Sequence, residues 1–158
     1  MQNKNFDPEQ IKILGYNIIQ EQISSPPEFN VEAIQYHGFH VDMEVNMEPT
    51  EDLLKADLRI EVVTESEGGN EEEAQAVFRI VYIIRIGNLA NFTLEHKGDR
   101  IVLESELGNY IAAVTYSTSR GILLQRVAGT GLKDFILPVI DTDSILNGEL
   151  NNPDQFLL

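Results

Sequence analysis

Nothing in this chain constrains its folding more than the stretch "GFHVDMEVNME", Gly38 to Glu48. Phe39, Val41, Met43, Val45 and Met47 fall on one side, and His40, Asp42, Glu44, Asn46 and Glu48 on the other. A period of two is that of a β-strand with one wet face. "LLKADLRIEVVTE" repeats the pattern, with Leu54, Ala56, Leu58, Ile60 and Val62 on its apolar side. Between them "EPTED" reads as a turn, with Pro49 and Asp52 as its formers.

The flanks extend the sheet. "IKILGYNIIQEQI", Ile11 to Ile23, reads as a first strand, which "SSPP" stops because Pro26 and Pro27 cannot continue a ladder. Residues 24–37 are then a long connection carrying Phe29, Ile34 and Tyr36. "SEGGNEEE" is a hairpin tip, and "AQAVFRIVYIIRIG" a fourth strand in which Ala76, Phe78, Ile80, Tyr82, Ile84 and Ile86 alternate. Its other face, with Val77, Val81 and Ile83 between Arg79 and Arg85, is partly apolar too. Four consecutive strands with mostly short turns make an antiparallel sheet.

After Gly87 the period changes. "NFTLEHKGDRIVLE" reads either as a small hairpin around "HKGD" or as a loop leading into a helix. From about Leu103 the spacing is helical, through Leu107, Tyr110, Ile111, Val114, Gly121 and Ile122, and "AGTG" ends it near Val127–Gly129. Pro138 blocks a further regular element, and "DTDSIL" carries an N-cap and the start of a short helix. The expected fold is α+β: a four-stranded antiparallel sheet with a long crossover after strand 1, packed by one long and one short C-terminal helix. Residues 1–9 are expected to be loose, 10–150 to form a single domain, and 151–158 a short tail.

At 158 residues the chain has the length of one ordinary domain. Cysteine is absent, so no disulfide, thiolate metal site or cysteine nucleophile exists, which fits a reducing compartment. "MQNKNFDPEQ" has no apolar segment after a basic start, so it does not read as a signal peptide. No apolar run nears the ~20 residues of a membrane span. A cytoplasmic location is expected. The net charge of −15 repels nucleic acid and anionic membranes. It also keeps in solution a protein that exposes apolar surface.

Candidate sites for chemistry fail one by one. "AGTGLKD" lacks the full phosphate-loop spacing, and a helix precedes it where a strand is needed. His40, Asp42 and Glu44 share a strand face with His37 nearby, but strict alternation fits a solvated face and no zinc spacing is present. His96 stands alone. "ESEGGNEEE" lacks the ligand order of a calcium loop. "STSRG" is not a nucleophile elbow, and its small residues Ser117, Thr118 and Gly121 suit close helix–helix packing, within the fold or between subunits. No enzyme, metal site or cofactor is expected.

Apolar residues outside the strands are the more unusual feature: Phe29, Ile34 and Tyr36 in the connection, then Ile136, Leu137, Val139, Ile140, Ile145, Leu146, Phe156, Leu157 and Leu158 near the end. On residue type alone they cap the ends of the sheet. The other reading is an apolar groove for extended chains.

Taken in order, these elements resemble the SecB family of protein-export chaperones. "TYSTSRGIL" is similar to that family's long helix ending in Ser-Arg-Gly, here Ser119, Arg120 and Gly121. "FILPVIDTDSIL" resembles its apolar-Pro-apolar entry to a second helix, and "PPEFNVEAIQYHGFHVDMEV" its aromatic crossover into an alternating second strand. The likeness spans about residues 10–150. It implies ATP-independent holding of unfolded polypeptides in grooves walled by Phe29, Ile34, Tyr36, Phe39, Val41, Met43, Leu137, Val139, Ile145 and Leu146. It implies a homotetramer, a dimer of dimers, with Tyr110, Val114, Ser117, Thr118 and Gly121 at helix interfaces. In typical members acidic residues on the first strand help dock the export motor SecA; here that strand offers Glu21. The segment 88–104 is longer than the family's usual link, "LLQRVAGTGLKDF" adds residues, and the tail is short. Those departures make an antitoxin, as in SecB-like chaperones dedicated to toxin–antitoxin pairs, the alternative partner to SecA. A ligand-binding or structural oligomer of the same fold is the reading from another class.

Overall fold

A computed structural model describes residues 7–97 and 100–146. Strands β1 (Ile11–Ser24), β2 (Ile34–Glu48), β3 (Leu53–Ser66) and β4 (Gln75–Ile86) form one antiparallel sheet in the order β1-β4-β3-β2. β1 and β2 are opposite edges, so the chain between them crosses the width of the sheet. This is the expected crossover, but it is shorter than the sequence suggests. Asn30 caps a 3-10 turn at Val31–Ala33, and β2 begins at Ile34. An irregularity between Ile34 and Tyr36 interrupts the pairing with β3 and hides the first residues of the strand from a period-two reading.

The turns hold the register. Asp52, at φ 55°, accepts from the Ile86 N–H through its carbonyl (2.9 Å) and from the Leu89 N–H through its carboxylate (3.1 Å). The β2–β3 turn is thereby tied to the end of β4. At the β3–β4 tip, Gly68 and Gly69 take φ of 71° and 78°. Glu73 reaches back to accept from the Ser66 N–H (2.9 Å) and the Thr64 hydroxyl (2.6 Å).

One face of the sheet is the core. Leu58, Ile60, Phe78, Ile80, Tyr82 and Ile84 are completely buried there. β1 joins less regularly, because its 14 residues pair with the 12 of β4. The register shifts between Ile13 and Gly15 and between Ile18 and Gln20, so Leu14 and Ile19 are extra residues at β-bulges. Between the bulges the helix-side positions move from Ile11 and Ile13 to Tyr16 and Ile18, of which Ile13 and Tyr16 remain exposed. They return to Glu21 and Ile23 beyond the second bulge.

After β4 the hairpin alternative is realised: β5 (Thr93–Lys97) pairs antiparallel with β6 (Arg100–Leu103). Helix α1 (Ser105–Arg126) follows and lays Leu107, Ile111, Thr115, Tyr116, Ser119 and Leu123 on the sheet. It begins after Leu103, which ends β6. Ser119 is fully buried and bonded to the Tyr82 hydroxyl at 2.7 Å, so it packs within the fold. Helix α2 (Asp143–Leu146) packs against β2 and α1. At the start, Asp7 caps a 3-10 turn at Pro8–Gln10, within and just beyond the segment 1–9. The remaining expectations for residues 1–6 and 147–158 lie outside the described residues. No helix among the described residues is long and apolar enough to cross a membrane.

Candidate functional site

The residues singled out for client binding separate into two sets. Phe39, Val41, Leu137 and Ile145 are core, exposed by 7%, 1%, 1% and 3%. In this chain they lie behind the surface, where the sequence reading has them walling a groove. Phe29, Ile34, Tyr36 and Met43 are half-buried, and Val139 is 83% exposed. Ile136, which the groove reading left out, is 52% exposed. The side chain of Leu146 lies outside the described residues.

The segment 131–140 explains the split. It follows the end of α1, where Gly129 takes φ 77° and the Thr130 hydroxyl donates to the Val127 carbonyl at 2.7 Å. Phe135 and Leu137 point inward. Phe135 lies over His37 (ring centres 5.4 Å apart) and Phe39 (6.0 Å) on β2. The buried Tyr116 hydroxyl donates to the Pro138 carbonyl at 2.6 Å. Proline cannot donate, so its carbonyl is the only backbone hydrogen-bonding group there. Burial pushes the Tyr116 phenol well above its ordinary pKa and keeps it a donor. Held at these points, the segment turns Ile136 and Val139 to solvent as an apolar lip.

The loop's other anchor is Gly131. Its N–H donates to the Ser25 hydroxyl at 2.7 Å, across 106 residues of sequence. A β-carbon there would stand 2.6 Å from the Phe29 ring and 3.0 Å from both Ala74 and Ser25. Crossover, hairpin tip and lip segment therefore meet where a larger residue would force its neighbours to shift. The second glycine of "AGTG" does packing work, and its N–H is engaged by Ser25.

His37 sits beneath the lip. It is 4% exposed, and neither ring nitrogen has a hydrogen-bond partner among the described residues. Its cross-strand neighbour is Thr64, whose hydroxyl is engaged by Glu73. Burial lowers the imidazole pKa, and the charge of Asp134 opposes this in part. In the unfolded chain the ring takes up its proton near the ordinary value of about 6.5. In the folded chain it does so at lower pH. Above the ordinary value it costs nothing. As pH falls below it, the unfolded state binds the proton first, and stability declines by up to about 1.4 kcal/mol per pH unit. Urea unfolding from neutrality to about pH 5 is expected to show this slope, and His37→Leu to flatten it. Equal slopes in the two proteins would rule it out.

The expected interface and docking residues occupy different surfaces. On α1, Tyr110, Val114, Ser117 and Gly121 line the side away from the sheet, and Leu124, 41% exposed, continues the row. The steps of four, three, four and three are those of a helix-packing seam. A β-carbon on Gly121 would meet nothing within 4 Å. Thr118 instead turns its hydroxyl back to the Val114 carbonyl at 2.8 Å. Glu21 points to the helix side and forms an ion pair with Arg126 at 3.2 Å. His40 and Asp42 pair with each other at 2.6 Å on the open face. Among the described residues no three His, Asp or Glu side chains cluster as metal ligands would.

No protein-family model and no curated protein sequence matches the chain. Among solved structures it is similar to the Mycobacterium tuberculosis Rv1957 SecB-like chaperone, in complex with a ChAD peptide from the Rv1956 HigA1 antitoxin. The TM-score is 0.60 at 11% identity, over 84% of this chain and 91% of that one. At that identity the likeness is one of architecture: this chain has a SecB-like α+β fold.

Proposed function

We propose that this protein is an ATP-independent holdase that binds non-native polypeptides against the lip formed by Ile136 and Val139. The observation that carries this reading is their exposure, 52% and 83%, on a segment pinned from behind by Phe135, Leu137 and the Tyr116–Pro138 bond. Apolar side chains held rigidly in water stabilise nothing in the free chain, and they serve a surface that binds apolar segments. Half-buried Met43 and Phe29 supply adaptable and aromatic surface on neighbouring elements. Binding is passive: occupancy competes with aggregation by mass action and needs no cofactor.

The working unit is a cytoplasmic homotetramer, a dimer of dimers, built through the seam on α1. An antitoxin is the favoured dedicated client over a SecA-coupled preprotein. The SecB-like neighbour holds an antitoxin peptide, and Glu21 is engaged with Arg126 within the chain.

Light-scattering assays with a denatured client, without ATP, test the reading. The native protein is expected to suppress aggregation at substoichiometric amounts. Ile136→Asp/Val139→Asp is expected to reduce that capacity about tenfold, as loss of two apolar contacts of 1–2 kcal/mol in all would. Its melting temperature should stay unchanged, because both side chains are exposed. A native mass of one chain with no suppression would overturn the reading, and an oligomer with no suppression would point to a structural or ligand-binding role.

A further inference from the structure

The sheet face away from α1 can be read as a grid, because the registers of β1, β4 and β3 fix which side chains stand beside one another. Along β1 it carries Lys12, Gly15, Asn17, Gln20, Gln22 and Ser24. Along β4 it carries Arg85, Ile83, Val81, Arg79, Val77 and Gln75. These twelve positions hold three cations and no acid. The whole chain has 26 acidic and 11 basic residues, so an average face would show the reverse. On β3 the neighbours are Lys55 beside Ile83, Asp57 beside Val81, and Arg59 beside Arg79. Arg79 is neutralised by Asp57 (2.9 and 2.5 Å) and Arg59 by Glu61 (2.7 Å). Lys12, Lys55 and Arg85 are exposed, and among the described residues none of them forms an ion pair. They surround an apolar floor. Ile83 is 38% exposed and the bulge residue Ile19 48%, while Val81 lies at 8% beneath them. Ile19, Lys55, Val81 and Ile83 line a shallow depression of about 410 Å³.

We propose that this cationic, apolar half of the sheet is a docking surface for an acidic polypeptide segment that carries apolar side chains. The chemistry favours that partner over other polyanions. A net charge of −15 opposes the approach of nucleic acid or an anionic bilayer at long range. A short acidic segment feels mainly the three local cations, because charges farther than about 8–10 Å are screened at physiological salt. Ile19, Val81 and Ile83 offer burial to Leu or Val side chains, and the exposed ring of Tyr16 at the margin of the depression adds apolar contact. This surface is distinct from the lip and does not depend on the holdase reading.

Fluorescence anisotropy with the full-length protein tests it. The probes are a labelled short peptide of alternating Glu and Leu, the same peptide with Lys for Glu, and a single-stranded DNA oligonucleotide. The Glu–Leu peptide is expected to bind best and to weaken with added salt. Lys55→Glu/Arg85→Glu should lower its affinity about tenfold and Lys55→Gln/Arg85→Gln by less, while Val139→Asp should leave it unchanged. The proposal falls if the Lys–Leu peptide or the oligonucleotide binds as tightly. It also falls if both paired variants bind like the native protein, or if Val139→Asp abolishes binding and so shows the peptide to be held as a client.

Discussion

Truncating Phe135 to Ala is expected to destabilise the protein by about 3–5 kcal/mol, the range for removing a buried aromatic ring. The ring is 4% exposed and lies on both His37 and Phe39, so its loss opens a cavity between β2 and the lip segment. The backbone there cannot readily collapse to fill it, because the Pro138 carbonyl is tied to Tyr116 and Gly131 to Ser25. A lowered denaturant midpoint with an unchanged slope is the expected signature. A second effect follows from the same cavity. Water would reach His37, its pKa would rise toward the ordinary value, and the acid-side slope of stability would shrink in Phe135→Ala as it does in His37→Leu. A loss below about 1 kcal/mol would mean that the ring is dispensable and the lip is held by its hydrogen bonds alone.

Replacing Gly131 by Val is expected to cost about 1–3 kcal/mol through overpacking. In a domain of this size that lowers the melting temperature by roughly 2–4 °C per kcal/mol. The Phe29 ring can rotate away from the new side chain, but the Ala74 methyl and Ser25 approach from other directions. Gly129→Ala is the control. Nothing stands within 4 Å of a β-carbon at Gly129, so its cost of about 1 kcal/mol comes from the φ of 77° alone. The two glycines of one short motif thus fail for different reasons. Thermal melts that rank Gly129→Ala as the more damaging would show that crossover and lip do not depend on each other.

What the sequence makes legible is what period and punctuation control. β2, β3 and β4 follow from alternation, because each buries mainly one face. α1 follows from the spacing of Leu107, Ile111 and Val114. The lip was visible only as an excess of apolar residues around Pro138. Which of them face water depends on contacts distant in sequence, such as Phe135 on His37, and no local pattern records those. For that reason the groove walls that the resemblance implies omit Ile136, which is exposed, and include Leu137 and Ile145, which are buried. The ion pair of Glu21 is not legible in the sequence, because its partner, Arg126, lies far along the chain. The cationic half of the open face was equally invisible. Three residues far apart in sequence become neighbours only once the register is known.

The two bulges of β1 separate chain length from face identity at this edge of the sheet. In an unbroken strand one inserted residue would invert every side chain beyond it, sending an isoleucine ladder from core to water. In β1 the surplus residue is stored outside the ladder at Leu14 and again at Ile19, and Ile11, Ile13, Ile18 and Ile23 all still point to the helix side. Loss of either surplus residue would leave that assignment intact. This edge can therefore absorb single-residue insertions and deletions during divergence without rewriting the core, a freedom that β3 and β4, paired on both sides without a shift between them, do not have.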